Sequence, residues 1–441
     1  MQHYVQTYRY FISKESYRNK VKYAPILHAR HAPAIYNYIP KDANNKSRSL
    51  VYCVYNHHMQ VATMIIKRIH VSIVIGTRPE AIKCAPVILD LKADTRFSVS
   101  VLNTGQHKDM LEQALHPFNI VPDILLGEMQ HDSDICATIA HQILPLAEQI
   151  RHDRPDILLV QGDTSTALAA TVTAYYEKIP VGHIEAGLRS NNLYSPFPEE
   201  GNRKVISALA TLHFAPTETA RDALLREHVP AQHIFVTGNT VVDSLLYLAD
   251  HGREVDAILG QTQRQRPIIL ITAHRRETWG ARLKYICEAI LQLSQRYPTH
   301  LLVFPVHKNP IVHDAIFSSL QGKANICLLE SLEYLDFISL LRASTLVLTD
   351  SGGIQEEAPS FGVPVLVLRD ITERPEAVDA GLARLVGTDT TRIVSETTNI
   401  IDNPEIYKGM AQAKNPFGDG QAAKRIRHIL LNWHAARTAN Q

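Results

Sequence analysis

Three carboxylates stand where acid–base chemistry would want them. Asp163 lies in VQGDTS, Glu185 in GHIEAG and Glu199 in PFPEEG, each closing an apolar or proline-rich run. Proton transfer at neutral pH often uses several carboxylates whose surroundings drive their pKa values apart. By spacing alone Asp163 can equally be a helix N-cap, because Thr164 and Ser165 open a helical stretch. A second group is cationic. Arg78 and Lys83 follow an apolar run that ends at Gly76, and His274 and Arg275 end another. Together they could neutralise a diphosphate, although each alone would pass for a surface charge. The third group is Ser351-Gly352-Gly353, after TLVLTD. It should open a helix, whose free N–H groups and dipole favour an anion, while the glycines let a phosphate approach the backbone. Glu356 and Glu357 follow; a carboxylate there can accept hydrogen bonds from ribose hydroxyls, or simply stabilise the helix dipole.

These residues need elements to hold them. Short runs rich in Val and Ile recur at 70–76, 99–103, 156–163, 179–187, 212–217 and 233–239, then at 267–274, 300–307, 325–330, 345–353 and 363–370. Helical patterns such as 79–93, 165–178 and 331–344 separate them, with Pro79 suited to a first turn. Continuous apolar strands alternating with helices imply βαβ units and buried parallel sheets. The alternation occurs twice, with a break near Thr237–Asn239 and the polar stretch 261–267. The expected fold class is therefore α/β, two doubly wound Rossmann-like units facing across a cleft. In such sheets ligands bind outside the carboxyl ends of the strands, where the polar groups above collect. We place the first unit at 64–238 and the second at 239–418. The amphipathic helix 419–437, after the turn-like NPFGDG, is expected to pack back on the first. Residues 1–63, rich in Tyr, His, Asn and Lys without a sustained period, read as a loosely packed extension, and Met64 is an alternative start.

The chain has 441 residues, more than one hydrophobic core of roughly 250–300 residues accommodates. Its net charge of +1 offers no broad field for nucleic acid. No apolar run approaches the ~20 residues that span a bilayer, and the N-terminus lacks the pattern of a secretory signal. The five cysteines are scattered without a CxxC pair, which fits a reducing cytosol rather than a disulfide framework. GxGxxG and GxxxxGK[ST] are absent, so neither a tightly bound NAD nor a Walker nucleotide site is expected. Asp132-Ser133-Asp134 has DxD spacing but precedes a helical stretch and reads as a capping turn. The pairs His28/His31 and His57/His58 stand apart from every other site feature, and no metal site is expected.

In family order, the segments GTRPEAIK (76–83), QGDTSTALA (161–169), GHIEAGLRS (182–190), YSPFPEEGNR (194–203), FVTGNTVVDSLL (235–246), TAHRRET (272–278), FPVHKNP (304–310), DSGGIQEEAPSFGVPVLVLRDITERPEA (350–377), GLARLVGT (381–388) and NPFGDGQA (415–422) resemble the non-hydrolysing UDP-N-acetylglucosamine 2-epimerases. The likeness runs from about Ile65 to the C-terminus. It implies a GT-B type fold and interconversion of UDP-GlcNAc and UDP-ManNAc, for surface polysaccharide, by a cytoplasmic homodimer without a cofactor. UDP would be eliminated to leave 2-acetamidoglucal and then added back. At matching positions Asp163, Glu185 and Glu199 resemble the acid–base carboxylates. Arg78, Lys83 and His274 resemble the residues that stabilise the diphosphate; Ser351, Gly352, Gly353 and Glu357 resemble the UDP platform. Gln106 and His107, in TGQHKDM, resemble an element where some members bind an activating second UDP-GlcNAc.

Overall fold

The structure is a computed structural model that describes residues 35–38, 49–55, 61–106, 108–127, 134–252, 254–260, 266–275, 278–307, 309–372 and 374–439. Its first strands, β1 (Ile35–Tyr38), β2 (Ser49–Tyr55) and β3 (Val61–Lys67), form an antiparallel three-stranded sheet. They occupy part of the segment expected as an extension; the rest of residues 1–63 lies outside the described residues. Seven parallel strands follow: β4 (Ile69–Ile75), β5 (Phe97–Asn103), β6 (Ile124–Leu125), β7 (Ile157–Gln161), β8 (Val181–Ile184), β9 (Leu212–Ala215) and β10 (Ile234–Val236). Their order across the sheet is β10-β9-β8-β7-β4-β5-β6. A second sheet holds β11 (Ile268–Thr272), β12 (Leu301–Pro305), β13 (Ile326–Leu329), β14 (Ser344–Thr349), β15 (Val365–Val367) and β16 (Ala383–Leu385), ordered β13-β12-β11-β14-β15-β16 and again parallel. This is the α/β architecture that the repeated alternation leads one to expect, and its two parallel sheets fit the GT-B type that the resemblance implies.

The local reasons are readable. Every residue of β4, IHVSIVI, is buried, as a strand covered on both faces by helices requires. Ile73 pairs with Val101 on one side and Leu159 on the other, which makes β4 an interior strand of its sheet. One face of that sheet packs Ile73, Ile88, Leu91, Phe118, Leu245, Ile426 and Leu430 into a single core. The opposite face is filled by Val74, Leu102, Leu146, Ile150, Leu158 and Val160. Fully burying one such side chain stabilises by about 1.5–3 kcal/mol, so these layers set the frame on which polar strand ends are presented. The helix Ala422–Ala439 buries Ala423, Ile426 and Leu430 in the first of these cores. Arg427 ties it to Asp90 and Asp94 of the first unit at 2.7 and 2.8 Å.

The strand order reverses at two places. In the first sheet β4 is flanked by β5 and β7; in the second β11 is flanked by β12 and β14. At each reversal adjacent strands send their following loops to opposite faces, which opens a crevice at the carboxyl ends. Five described strands lie outside the runs read from the sequence: β1, β2 and β3, in or next to the segment read as an extension, and β6 and β16. β6 has two residues and β16 three, too short to carry a periodic signal, and each depends on an edge partner. The helix Thr240–Ala249, expected with the second unit, packs against Arg78–Ala93 of the first and also against Tyr334–Arg342 of the second.

Candidate active site

The loop after β4 is built around Glu80. Thr77 caps the helix Arg78–Ala93, and Glu80 accepts hydrogen bonds from the N–H groups of Gly76 (2.9 Å) and Thr77 (2.7 Å) and from the Thr77 hydroxyl (2.9 Å). Its other oxygen accepts from the Thr164 hydroxyl in the loop after β7. One buried carboxyl thus ties together the loops that carry Arg78 and Asp163. Burial pushes its pKa up against these bonds. The T-x-x-E spacing is a capping-box signature and was legible in the sequence, although we did not single it out. Gly76 is required here: a Cβ would lie 2.4 Å from the hydroxyls of both Thr104 and Thr166.

Thr164, not Asp163, is the N-cap of the helix Ser165–Tyr176; its hydroxyl accepts from the Ala167 N–H. That removes the capping alternative for Asp163. The Asp163 carboxylate instead lies 2.5 Å from the Arg203 guanidinium, and its carbonyl accepts from the Asn202 side chain. Asp134, by contrast, is a cap as expected: it accepts from Ala137 at the start of Ile135–Asp153, while residues 132 and 133 lie outside the described residues.

Glu185 follows β8 in a left-handed conformation, with φ of 65°. Such a backbone costs a non-glycine residue about 1 kcal/mol or more and persists where surrounding contacts over-determine it. Here the contacts converge on its carboxylate. Lys83 Nζ lies 2.5 and 2.7 Å from the two oxygens, the Gln161 amide donates to one, and the Asn239 amide donates to the other at 3.0 Å. Burial works against the charge, but Lys83, Arg374 and the Asn239 bond outweigh it and hold the carboxyl below its ordinary pKa. Desolvation likewise opposes the Lys83 charge, and Glu185 with Glu356 more than restores it. A Cβ on Gly162 would lie 3.7 Å from a Glu185 oxygen, so the backbone just before Asp163 runs beside this carboxylate. His183, two residues earlier on β8, donates through Nε2 to the Gly162 carbonyl at 2.7 Å. Burial drives its pKa down to about 3, which leaves a neutral ring that props the loop.

Glu199 opens the helix Glu199–Leu209. Its Oε2 is buried and has no hydrogen-bond partner among the described residues. Buried polar atoms are seldom left so. Its neighbour Glu200 is engaged elsewhere: it accepts from the N–H groups of Ser190 and Asn191 and pairs with Arg203, thereby folding the loop that delivers Glu199.

The second crevice mirrors the first. Asp350, fully buried after β14, accepts the N–H groups of His274 and Arg275 at 2.9 Å each and the Thr278 hydroxyl at 3.0 Å. Its other oxygen is 3.3 Å from His274 Nδ1, and the ring stacks on His307 with centroids 6.3 Å apart. Ser351 precedes the helix Gly352–Glu357, and an Arg275 guanidinium nitrogen would lie 3.8 Å from a Cβ at Gly352. Glu357 accepts from the Tyr334 hydroxyl at 3.1 Å; burial and the neighbouring Glu356 push its pKa to about 7. Glu356 is bound by Arg374 and by Asn239. Arg78, from the first unit, lies 5.9 Å over the Tyr334 ring of the second.

The tertiary fold thus brings Lys83 to Glu185, His274 and Arg275 to Asp350 and Gly352, and Arg78 to Tyr334. Lys83 was expected to face a diphosphate; its charge is shared with a carboxylate. Gln106 sits apart from these contacts, accepting from the Thr166 hydroxyl at 2.7 Å, and His107 lies outside the described residues. Sequence reasoning passed over Gln161, Asn239, Tyr334, Asp350 and Arg374 as individual partners. Gln161 and Asp350 carry a weak signal, a polar residue closing an apolar run; Arg374 and Tyr334 carry none.

Residues 89–431 match the sequence profile of the UDP-N-acetylglucosamine 2-epimerases. The chain belongs to this family. The UDP-N-acetylglucosamine 2-epimerase of Escherichia coli K12 is 46% identical over 366 residues, which cover 81% of this chain and 97% of that one. The enzyme of the same name from Neisseria meningitidis serogroup A is 47% identical over 364 residues, 81% of this chain and 98% of that one. Among solved structures, the N. meningitidis epimerase bound to UDP-GlcNAc superposes with a TM-score of 0.73 at 46% identity, covering 82% of this chain and all of that one. A Listeria monocytogenes epimerase structure superposes at 0.79 with 42% identity, covering 84% and 97%. The family profile begins inside the helix Arg78–Ala93, after the GTRPEAIK segment. No helix among the described residues of this epimerase-family chain is long and apolar enough to cross a membrane.

Proposed function

We propose that the protein interconverts UDP-GlcNAc and UDP-ManNAc by inverting C2 without net hydrolysis. The observation that carries this reading is Glu185: a desolvated carboxylate kept ionised by Lys83, in a strained backbone, where the two parallel sheets present their carboxyl ends. Family membership supplies the substrate class.

The C2 proton has no adjacent carbonyl to acidify it, so the reading runs through elimination. One carboxylate takes the C2 proton as the C1–O bond breaks; UDP leaves and 2-acetamidoglucal remains. UDP then adds back at C1 while a proton reaches C2 on the opposite face. This needs acid–base groups on both faces of the sugar, and Asp163, Glu185 and Glu199 are the candidates. The approach of the Gly162 backbone, next to Asp163, to the Glu185 carboxylate and the unpartnered Glu199 oxygen support that set. The departing UDP must be held while its bond breaks. Ser351, Gly352 and Gly353 would receive phosphate oxygens, Glu357 a ribose hydroxyl, and Arg78, Arg275 and His274 the diphosphate charge, with Lys83 bridging to Glu185. The resemblance extends the proposal to a cytoplasmic homodimer serving surface polysaccharide synthesis, and to Gln106 and His107 as part of a site for a second UDP-GlcNAc.

Proton NMR of UDP-GlcNAc with the protein in D2O tests the reading. Deuterium at C2 and a growing manno anomeric signal are expected. Free ManNAc as the main product would replace it with a hydrolysing epimerase. Tight UDP binding with no exchange would replace it with a nucleotide-sugar sensor.

A further inference from the structure

Asn239 is the residue at which the two halves of the site meet. It caps the helix Thr240–Ala249, its Oδ1 accepting the Val241 N–H at 3.1 Å. That bond fixes the orientation of the amide: the oxygen faces the helix and Nδ2 faces away from it. Nδ2 then donates to Glu185 Oε1 at 3.0 Å and to Glu356 Oε2 at 2.8 Å. The three residues are far apart in the chain, come from the loop after β8, the interunit connection and the helix Gly352–Glu357, and are all buried. The Asn239 N–H also donates to the Phe417 carbonyl at 2.6 Å, which clamps its backbone against the return of the chain to the first unit.

A simple cap does not account for this geometry. Asp caps as well as Asn, but a carboxylate here would face two others. Only an amide both caps the helix and donates an N–H hydrogen bond to each carboxylate. The groups facing Glu185 from the surrounding elements are Lys83 and Cys84 on Arg78–Ala93, His183 on β8 and Arg374 before Pro375–Asp379, with Glu356 reached through Asn239 itself. Two neutral amides, Gln161 and Asn239, donate to Glu185, and of these two Asn239 also bonds Glu356.

We infer that Asn239 is a positioning residue for the reaction: by donating one N–H₂ group to Glu185 and to Glu356, it aims the Glu185 carboxylate and joins it to the nucleotide half of the site. This rests on the proposed role of Glu185. Because Asn239 acts on a proton-transfer group and not on the nucleotide directly, its loss falls on kcat more than on KM.

The test compares Asn239→Asp, which keeps the cap, with Asn239→Ser, which keeps a smaller cap and removes the donor without adding charge. Melting temperatures verify folding. In Asn239→Asp, kcat for epimerisation is expected to fall at least tenfold with KM changed less than threefold, and the acid limb of the kcat profile to move to higher pH. In Asn239→Ser, kcat falls without that movement. The ¹³C-carboxyl titration of labelled Glu, with the Glu185 signal assigned by Glu185→Gln, is recorded for the same full-length proteins without substrate. The Glu185 signal should titrate higher in Asn239→Asp than in the parent. An unmoved Glu185 titration with unchanged kcat in both variants would reduce Asn239 to a helix cap. If the parent fails to epimerise, the proposed function falls, while the titration still decides whether Asn239 governs Glu185.

Discussion

Lys83 and Glu185, 102 residues apart, meet with the ammonium nitrogen within 2.7 Å of both carboxylate oxygens. The pair is nearly dry, with side-chain exposures of 19% and 5%. Breaking a buried pair from one side leaves an uncompensated charge and costs about 3–5 kcal/mol.

Lys83→Met is therefore expected to destabilise the protein by an amount near the lower end of that range in urea unfolding. It should also abolish most turnover in the NMR assay, because the remaining Glu185 is held protonated by its burial. Adding Glu185→Gln removes the stranded carboxyl and the cost of leaving it without its cation. The double variant should recover much of the stability and none of the activity, and recovery of neither would show that the pair is not the source of the loss. Glu185→Gln, Asp163→Asn and Glu199→Gln alone should each cut turnover by roughly 10²-fold, as expected for general acid–base groups.

Glu357 gives a pH prediction. Its folded pKa, raised from 4.5 to about 7, means that the folded state binds more protons than the unfolded state between those values. Stability then falls as pH rises through that window and is level above it. Glu357→Gln removes the cost, so its melting temperature should exceed the parent's by a margin that grows from pH 4.5 to 7. The gain is bounded at about 3 kcal/mol. The same substitution should weaken UDP by roughly tenfold in calorimetry, since a charged acceptor for ribose is lost. A constant margin across the pH range would contradict the assignment.

Asp350 organises the His274 loop. Asp350→Ala leaves the N–H groups of His274 and Arg275 and the Thr278 hydroxyl without their acceptor, with a cost of at least about 2 kcal/mol. UDP affinity should fall with it, because Arg275 and His274 are no longer fixed beside Gly352. Asp350→Asn keeps one acceptor oxygen and is expected to lie between the parent and Asp350→Ala in both melting and UDP titration.

Gly76→Ala drives a methyl group onto the hydroxyls of Thr104 and Thr166. Overpacking of this kind costs about 1–3 kcal/mol. In a Thr104→Ala/Thr166→Ala background the clash is largely gone, and the penalty of Gly76→Ala should shrink accordingly in urea unfolding.

Much of the fold was legible in the residues, because a strand buried on both faces must be a run of apolar, mostly β-branched side chains. Eleven strands fall where those runs lie; β6 and β16 are too short to show a period, and β1, β2 and β3 lie in polar, Tyr-rich sequence whose pattern does not set them apart. The sites at strand ends were legible for the same reason: an Asp, Glu, His or Arg that closes an apolar run stands out. Individual roles were less so. Asp163 and Thr164 compete for one capping position, and only the bond from Ala167 to Thr164 decides it.

By itself, then, the sequence determined which segments are strands and helices, where each βα loop carries its polar groups, and through its ordered motifs the family. The tertiary structure decided which of those groups meet. Lys83 joins Glu185 because β4 and β8 share a sheet, separated by β7; Asn239 joins Glu185 and Glu356 because the chain crosses between units at that residue. Such pairings follow from strand order and from the path between units. Local periodicity reports only which face of an element is buried, so it carries no record of which loops end up side by side.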